Sequence, residues 1–163
     1  MTLERDIERL AAQESVLQLS RFDRGDAWTL GSTIRDLALA RGVAVAIEVR
    51  LGGETVFTHA MLGCTPSNGD WIRRKRNSVE LLHQSSYAIG RGLEQQGQTL
   101  QDKMGLPVRD YASHGGSFPL RVRGVGVIGV VTASGLPQRE DHAIVIEALA
   151  LLCGVDTAGI ALD

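Results

Sequence analysis

Four consecutive cations, Arg73, Arg74, Lys75 and Arg76, stand in the stretch WIRRKRN, and a second stretch, HGGSFPLRVRGVGVIGVVTASGLPQREDH, begins and ends on a histidine, His114 and His142. Guanidinium forks bind carboxylates and phosphates bidentately, and an ammonium binds them as a point charge. Arg73, Lys75 and Arg76 are therefore the residues that can hold an acidic ligand. On a helix the run covers more than a turn, so at least one of the four must lie against protein. The competing reading is a solvated helix whose long stems snorkel over apolar surface. His114 precedes Gly115 and Gly116 in an expected loop. His142 stands at the start of an expected helix, where a positive ring would oppose the helix dipole; a neutral imidazole there can accept a hydrogen bond or ligate a metal. His59 and His83 read as half-buried structural residues.

These two histidines are brought together by the strands between them. FPLRVR and VIGVVTAS form an expected antiparallel pair joined near Arg123 to Gly126, so the start of the first strand lies beside the end of the second. This places His114 near Ser134 and Gly135 and predicts one polar pocket lined by His114, Ser134, Gly135 and His142.

Several chemistries are absent from the chain. There is no HExxH, HxH, CxxCH or GxSxG, and no glycine-rich run has a phosphate-binding context. Cys64 and Cys153 are the two cysteines and form no pair at zinc spacing, so they read as free structural thiols and no metal site is expected. A formal net charge of -2 gives no overall attraction to nucleic acid or an anionic membrane. The most apolar stretch, Ala143 to Val155, is far shorter than the roughly 20 residues a membrane span needs. The N-terminus, MTLERDIERL, lacks the apolar centre of a signal peptide. The expectation is a cytoplasmic protein with no nucleic-acid or membrane partner.

The elements that must position these residues are legible from periodicity. Leu3, Ile7 and Leu10 mark a first helix capped by Thr2 and running to about Gln13. VLQLSRF reads as a short strand. Asp26 can cap a second helix striped by Leu30, Ile34, Leu37 and Ala38 and closed by Gly42. Val43 to Leu62 alternates as a hairpin around Gly52-Gly53. A third helix is expected from Trp71, with Asn68 or Asp70 at its start, to about Gln84, and Ser85 or Ser86 caps a further helical piece. Pro119 favours an edge position for its strand, VIGVVTAS reads as a central strand buried on both faces, and a last helix enters at Pro137 and ends at Gly154. With 163 residues, 44% of them hydrophobic, and no linker or repeat, a single domain over 1–163 with an α+β antiparallel sheet is expected.

DWIRRKRN, HQSS, HGGSFPLRV and VGVIGVVTASGLPQREDHAIV together, in this order, resemble the uncharacterised haem-degrading-domain proteins, a branch of the GlcG/HbpS-like group. That resemblance implies a profilin-like fold, a three-layer α/β/α sandwich with a five-stranded antiparallel sheet flanked by helices. It also implies assembly into dimers or larger rings, and haem as a small acidic ligand. Within the group's pattern this chain keeps Lys75, Ser134 and Gly135, has Arg76 where alanine is common, and has a longer entry to the last helix; no catalytic residues carry over. Through the resemblance, Arg73, Lys75 and Arg76 would pair with haem propionates, and His114 or His142 would be the nearest iron ligand. A haem-degrading enzyme and a ligand-free assembly or adaptor protein are the alternative readings.

Overall fold

A computed structural model describes residues 2–162, so the ends of the expected 1–163 span, Met1 and Asp163, lie outside the described residues. The sheet is antiparallel in the order β2-β1-β4-β3, built from β1 (Ala46–Leu51), β2 (Glu54–Ala60), β3 (Ser117–Val122) and β4 (Gly126–Ser134). Gly52 and Gly53, at φ +56° and +80°, turn the first hairpin, as a two-residue primed turn requires. β4 is central, and β3, which carries Pro119, is an edge strand.

The sheet has four strands, not five. The segment expected as the additional strand makes a single parallel bridge, Leu19 to Val122, with Leu19 N–H donating to Arg121 O at 2.8 Å and Arg123 N–H to Leu19 O at 2.9 Å. It goes no further because Asp23 starts a helix four residues later. The Asp23 carboxylate accepts Asp26 N–H while Asp26 accepts Asp23 N–H, a reciprocal capping box. Asp26 is thus the third residue of that helix and not its cap.

Six helices complete the described residues: α1 (Leu3–Val16), α2 (Arg24–Ala40), α3 (Pro66–Leu82), α4 (Ser86–Gln96), α5 (Leu100–Met104) and α6 (Gln138–Cys153). α3 starts five residues before Trp71, because Thr65 and Asn68 form a capping box and Pro66 occupies the first turn. Strand alternation divides the sheet's two faces. Ile47, Val49, Phe118, Leu120, Val131 and Ala133 join one apolar core with Leu30 and Ile34 of α2 and Ile144, Val145 and Leu149 of α6. The opposite face meets α3 and is polar: Arg76 of α3 pairs with Glu48 of β1 at 2.8 Å, Glu80 of α3 with Arg50 at 2.7 Å, and Ser117 Oγ hydrogen-bonds Thr132 Oγ1 at 2.8 Å. The result is a helix, sheet, helix sandwich with one greasy and one hydrophilic interface.

Candidate functional site

Among the described residues Lys75 is the deepest cation, with 2% of its side chain exposed. Its place follows from α3: Ile72, Lys75 and Val79 share one buried face, and the other cations of the run point elsewhere. Lys75 Nζ donates to Ala133 O at 2.6 Å, Gly115 O at 3.0 Å and Asp141 Oδ2 at 3.2 Å. Three acceptors match the three N–H groups of an ammonium, so the geometry is that of a charged lysine paired with a charged aspartate. Burial pushes the Lys75 pKa down, opposed by the Asp141 charge, and pushes the Asp141 carboxyl up, opposed by Lys75 and by the Leu136 and Gly135 N–H groups. Asp141 Oδ1 accepts Leu136 N–H at 2.9 Å, which closes the turn from β4 into α6.

The HGG motif fits around this pair. A Cβ on Gly116, whose φ is +125°, would stand 2.4 Å from both Lys75 Nζ and Ala133 O, and one on Gly115 would stand 2.2 Å from Gln138 O. Only glycines let the loop pass this close to Lys75 and α6. Gly115 N–H in turn donates to Gln138 Oε1 at 3.1 Å.

Above the pair opens a pocket of about 250 Å³. Lys75, Asp141, Ser134 and Gly135 line it, with His114 and Trp71 among its other walls. The His114 ring meets the Trp71 indole edge-on, with centroids 4.9 Å apart, and the Arg74 guanidinium lies 4.4 Å over the same indole. Burial, and then the positive charges of Lys75 and Arg74, hold the His114 pKa below its ordinary value. The ring is therefore held toward its neutral form, beside a Lys75 that is itself paired with Asp141. Asn68 and Gln138 supply uncharged polar groups to the rim.

Of the residues expected to form the site, Lys75, His114, Ser134 and Gly135 come together at this pocket, and Arg73, Arg76 and His142 do not. Arg73 pairs with Asp110 at 2.8 Å and Asp70 at 3.2 Å, and Arg76 is held by Glu48. His142 turns into the core, where Nε2 donates to Gln13 Oε1 at 2.7 Å, the oxygen role being fixed because Gln13 Nε2 donates to Ile160 O at 2.7 Å. Its ring lies 5.3 Å from Tyr87 and 6.3 Å from Phe118, and Nδ1 has no partner. Successive helix residues point about 100° apart. Asp141 consequently takes the place at the pocket that the sequence assigned to His142, and the approach of the two histidine rings does not occur. Asn68, Trp71, Leu136, Gln138 and Asp141 also line the pocket and were not among the expected site residues. Among the described residues no group of three or more His, Cys, Asp or Glu side chains is arranged to hold a metal ion.

A family model described as haem degrading protein HbpS-like matches residues 22–150 of this chain. The chain belongs to that HbpS-like family. Among its relatives, a UPF0303 protein of Burkholderia cenocepacia is 52% identical over 162 residues, 99% of this chain and 98% of the relative. A UPF0303 protein of Burkholderia thailandensis is 54% identical over 154 residues, 94% of this chain and 93% of the relative. Among solved structures, the Ybr137w protein superposes with a TM-score of 0.83 at 29% identity, covering 91% of this chain and 87% of that one. PduOC, solved as a complex with haem, superposes with a TM-score of 0.69 at 18% identity, covering 79% and 93%. At that identity the likeness to PduOC is one of fold.

Proposed function

We propose that this HbpS-like protein is a binding protein for a small acidic molecule, seated in the pocket between α3, the His114 loop and the start of α6. The observation that carries this reading is the make-up of the pocket: the Trp71 indole, with the Arg74 guanidinium 4.4 Å over it, forms one wall, and polar groups of Asn68, His114, Ser134 and Gln138 converge beside the Lys75–Asp141 pair. An incoming carboxylate meets an indole wall carrying the Arg74 guanidinium and polar groups such as Ser134, whose Oγ makes no hydrogen bond among the described residues. A few convergent polar groups on an apolar wall are the usual make-up of a small-molecule site.

Haem itself fits these residues poorly. Pockets that enclose a drug-sized ligand hold roughly 300–1,000 Å³, and this one holds about 250 Å³. Arg73 and Arg76, the residues expected to take propionates, are already bound to Asp110, Asp70 and Glu48. His142 is buried away from the pocket, which leaves His114 as its one imidazole. The reading is therefore of a smaller acid.

Two further parts belong to the proposal. The protein is placed in the cytoplasm on the ground that both cysteines are free, as a reducing compartment favours; among the described residues no helix is long and apolar enough to cross a membrane. It also self-associates, a second copy pairing with the outer edge of β2, which among the described residues has no strand beside it.

The test is an NMR titration that follows the Trp71 indole N–H and the His114 ring, with benzoate as the small acid and hemin as the large one. A saturable benzoate shift at Trp71, with Trp28 unmoved, is the expected result. No shift with benzoate overturns the reading. Saturable hemin binding with a Soret shift that is lost in His114→Ala overturns the restriction to small acids.

A further inference from the structure

The side chains around the pocket arrive with part of their hydrogen-bonding capacity already spent, and what they keep is one-sided. Asn68 Oδ1 accepts Thr65 N–H at 2.9 Å, and Gln138 Oε1 accepts Gly115 N–H at 3.1 Å. A backbone N–H must meet the oxygen of an amide, so each of these side chains keeps its NH2, a donor, for a ligand. Asp141, the one carboxylate among the pocket's walls, is engaged through both oxygens, Oδ2 by Lys75 and Oδ1 by Leu136 N–H. The other two Lys75 protons go to Ala133 O and Gly115 O. Among the side chains, the acceptors that remain are the Ser134 oxygen and the bare nitrogen of the His114 ring in its neutral form. Neither carries the negative charge that an ammonium group needs.

Ser134 marks where an acid group sits. It ends β4 immediately before the turn into α6 and is 4% exposed. Its Oγ has no partner among the described residues and is not sealed from solvent, so it opens into the cavity that Ser134 lines. α6 begins just beyond, after Pro137, which has no side-chain oxygen to cap the first turn. The Gln138 N–H is therefore left without an acceptor among the described residues, at the positive end of the helix. The charges beside the pocket agree. Asp70 and Asp110 answer Arg73 and Arg109, and Asp141 answers Lys75. Arg74, over the Trp71 wall, pairs with no carboxylate among the described residues and donates to Val108 O at 2.7 Å. Glu140, the other acid in the first turn of α6, is not a wall of the cavity.

We infer that the ligand is an oxo acid and not an amino acid: its carboxylate sits on Ser134 Oγ and the N-terminus of α6, and a second acceptor oxygen takes the NH2 groups of Asn68 and Gln138. This inference rests on the small-acid reading of the pocket and adds which acids it selects.

The test uses three acids of one skeleton, phenylglyoxylate, phenylacetate and phenylglycine, which differ in carrying an oxo group, no further polar group or an ammonium. Calorimetry gives affinities, and NMR follows the Trp71 indole N–H and the side-chain NH2 signals of Asn68 and Gln138. Phenylglyoxylate is expected to bind about fivefold more tightly than phenylacetate, the size of one neutral hydrogen bond, and to move both NH2 signals. Phenylglycine is expected to bind at least about tenfold more weakly than phenylacetate. Ser134→Ala should weaken phenylacetate about tenfold, with the thermal midpoint unmoved, as expected for the loss of a hydrogen bond to a charged group. Asn68→Asp keeps the oxygen that takes Thr65 N–H and replaces only the NH2, so the helix cap survives while the order of phenylglyoxylate and phenylglycine reverses. If Trp71 responds equally to all three acids, the selection rule is overturned and the small-acid reading stands. Wild-type affinity in Ser134→Ala overturns the carboxylate seat, and an unchanged order in Asn68→Asp overturns the place of the second acceptor. If Trp71 responds to none of the three, both readings fall.

Discussion

Lys75 stands three residues after Ile72 and four before Val79, both buried, so a lysine in an apolar helix stripe was visible in the sequence before any coordinates. A buried ammonium requires a carboxylate. That demand was the one signal in the sequence that could have led to Asp141. Removing one partner of such a pair leaves the other buried and alone. Lys75→Met is expected to cost roughly 3–5 kcal/mol in urea denaturation, and Lys75→Met with Asp141→Leu to recover much of it. A Lys75→Met variant within about 1 kcal/mol of wild type would show the pair to be solvated.

His142 gives a pH prediction at the same scale. Burial, and then the charges of Arg139 and Lys75, lower its pKa from 6.5 to about 3, against a raising contribution from Asp6. Between those values the unfolded chain binds a proton that the native state does not, so stability rises with pH. The His142 contribution is complete above pH 6.5 and is lost as the pH falls toward 3, at roughly 1.4 kcal/mol per pH unit. Urea midpoints measured from pH 7 to 4 should decline less steeply in His142→Gln than in wild type. Parallel declines would place the imidazole in contact with water.

At the scale of elements, what was legible depended on whether the cue was local. The hairpin at Gly52-Gly53, the edge position of Pro119, the central place of VIGVVTAS and the glycine after the last helix are each set by the backbone preferences of their own residues. The start of α3 was missed because Trp71 is the first strongly apolar residue, whereas the helix begins at the Thr65–Asn68 capping box. The short α5, between Thr99 and Gly105, has no apolar periodicity to reveal it, although Thr99 and Asp102 cap it reciprocally. VLQLSRF has the composition of a strand, but Asp23 ends it after one bridge. The HGG turn makes the element-scale prediction. Gly116 holds φ +125°, and a side chain there would strike Lys75 and Ala133 O. Gly116→Ala is expected to destabilise by roughly 1–3 kcal/mol or more. It should also broaden the His114 ring signals, because the loop that carries His114 must move. A sharp, unshifted His114 spectrum with wild-type stability would refute this.

For the whole molecule, the two faces of the sheet divide the labour. The α2 and α6 face buries the apolar core, while the α3 face carries ion pairs and serines and ends in the pocket. The alternation in VAVAIEVRL already announced one greasy and one mixed face; the ion-pair partners of that mixed face, Arg76 for Glu48 and Glu80 for Arg50, lie 28 and 30 residues away in sequence, and no local pattern could match them. A single cooperative unfolding transition over the whole chain is the expectation for one domain with one such core. The same architecture leaves β2 uncovered on its outer side, with Trp28 68% exposed beside Phe57 at 5.7 Å and no lysine in ETVFTHA to discourage pairing. Gly31 deepens the surface here, because a Cβ at that position would stand 2.3 Å from the Phe57 ring. Proteins that remain monomeric guard such edges with charge, and on β2 the one charged residue is Glu54 at its start, which is paired with Arg24. Light scattering at micromolar concentration should therefore give a multiple of 17.5 kDa. Thr58→Lys, an exposed position in the middle of the strand, should shift the mass toward the monomer while leaving the thermal transition of the isolated fold in place. A wild-type protein that stays at the monomer mass across that range would mean that the β2 edge is protected by its own twist and side chains, and that a second copy has no place on it.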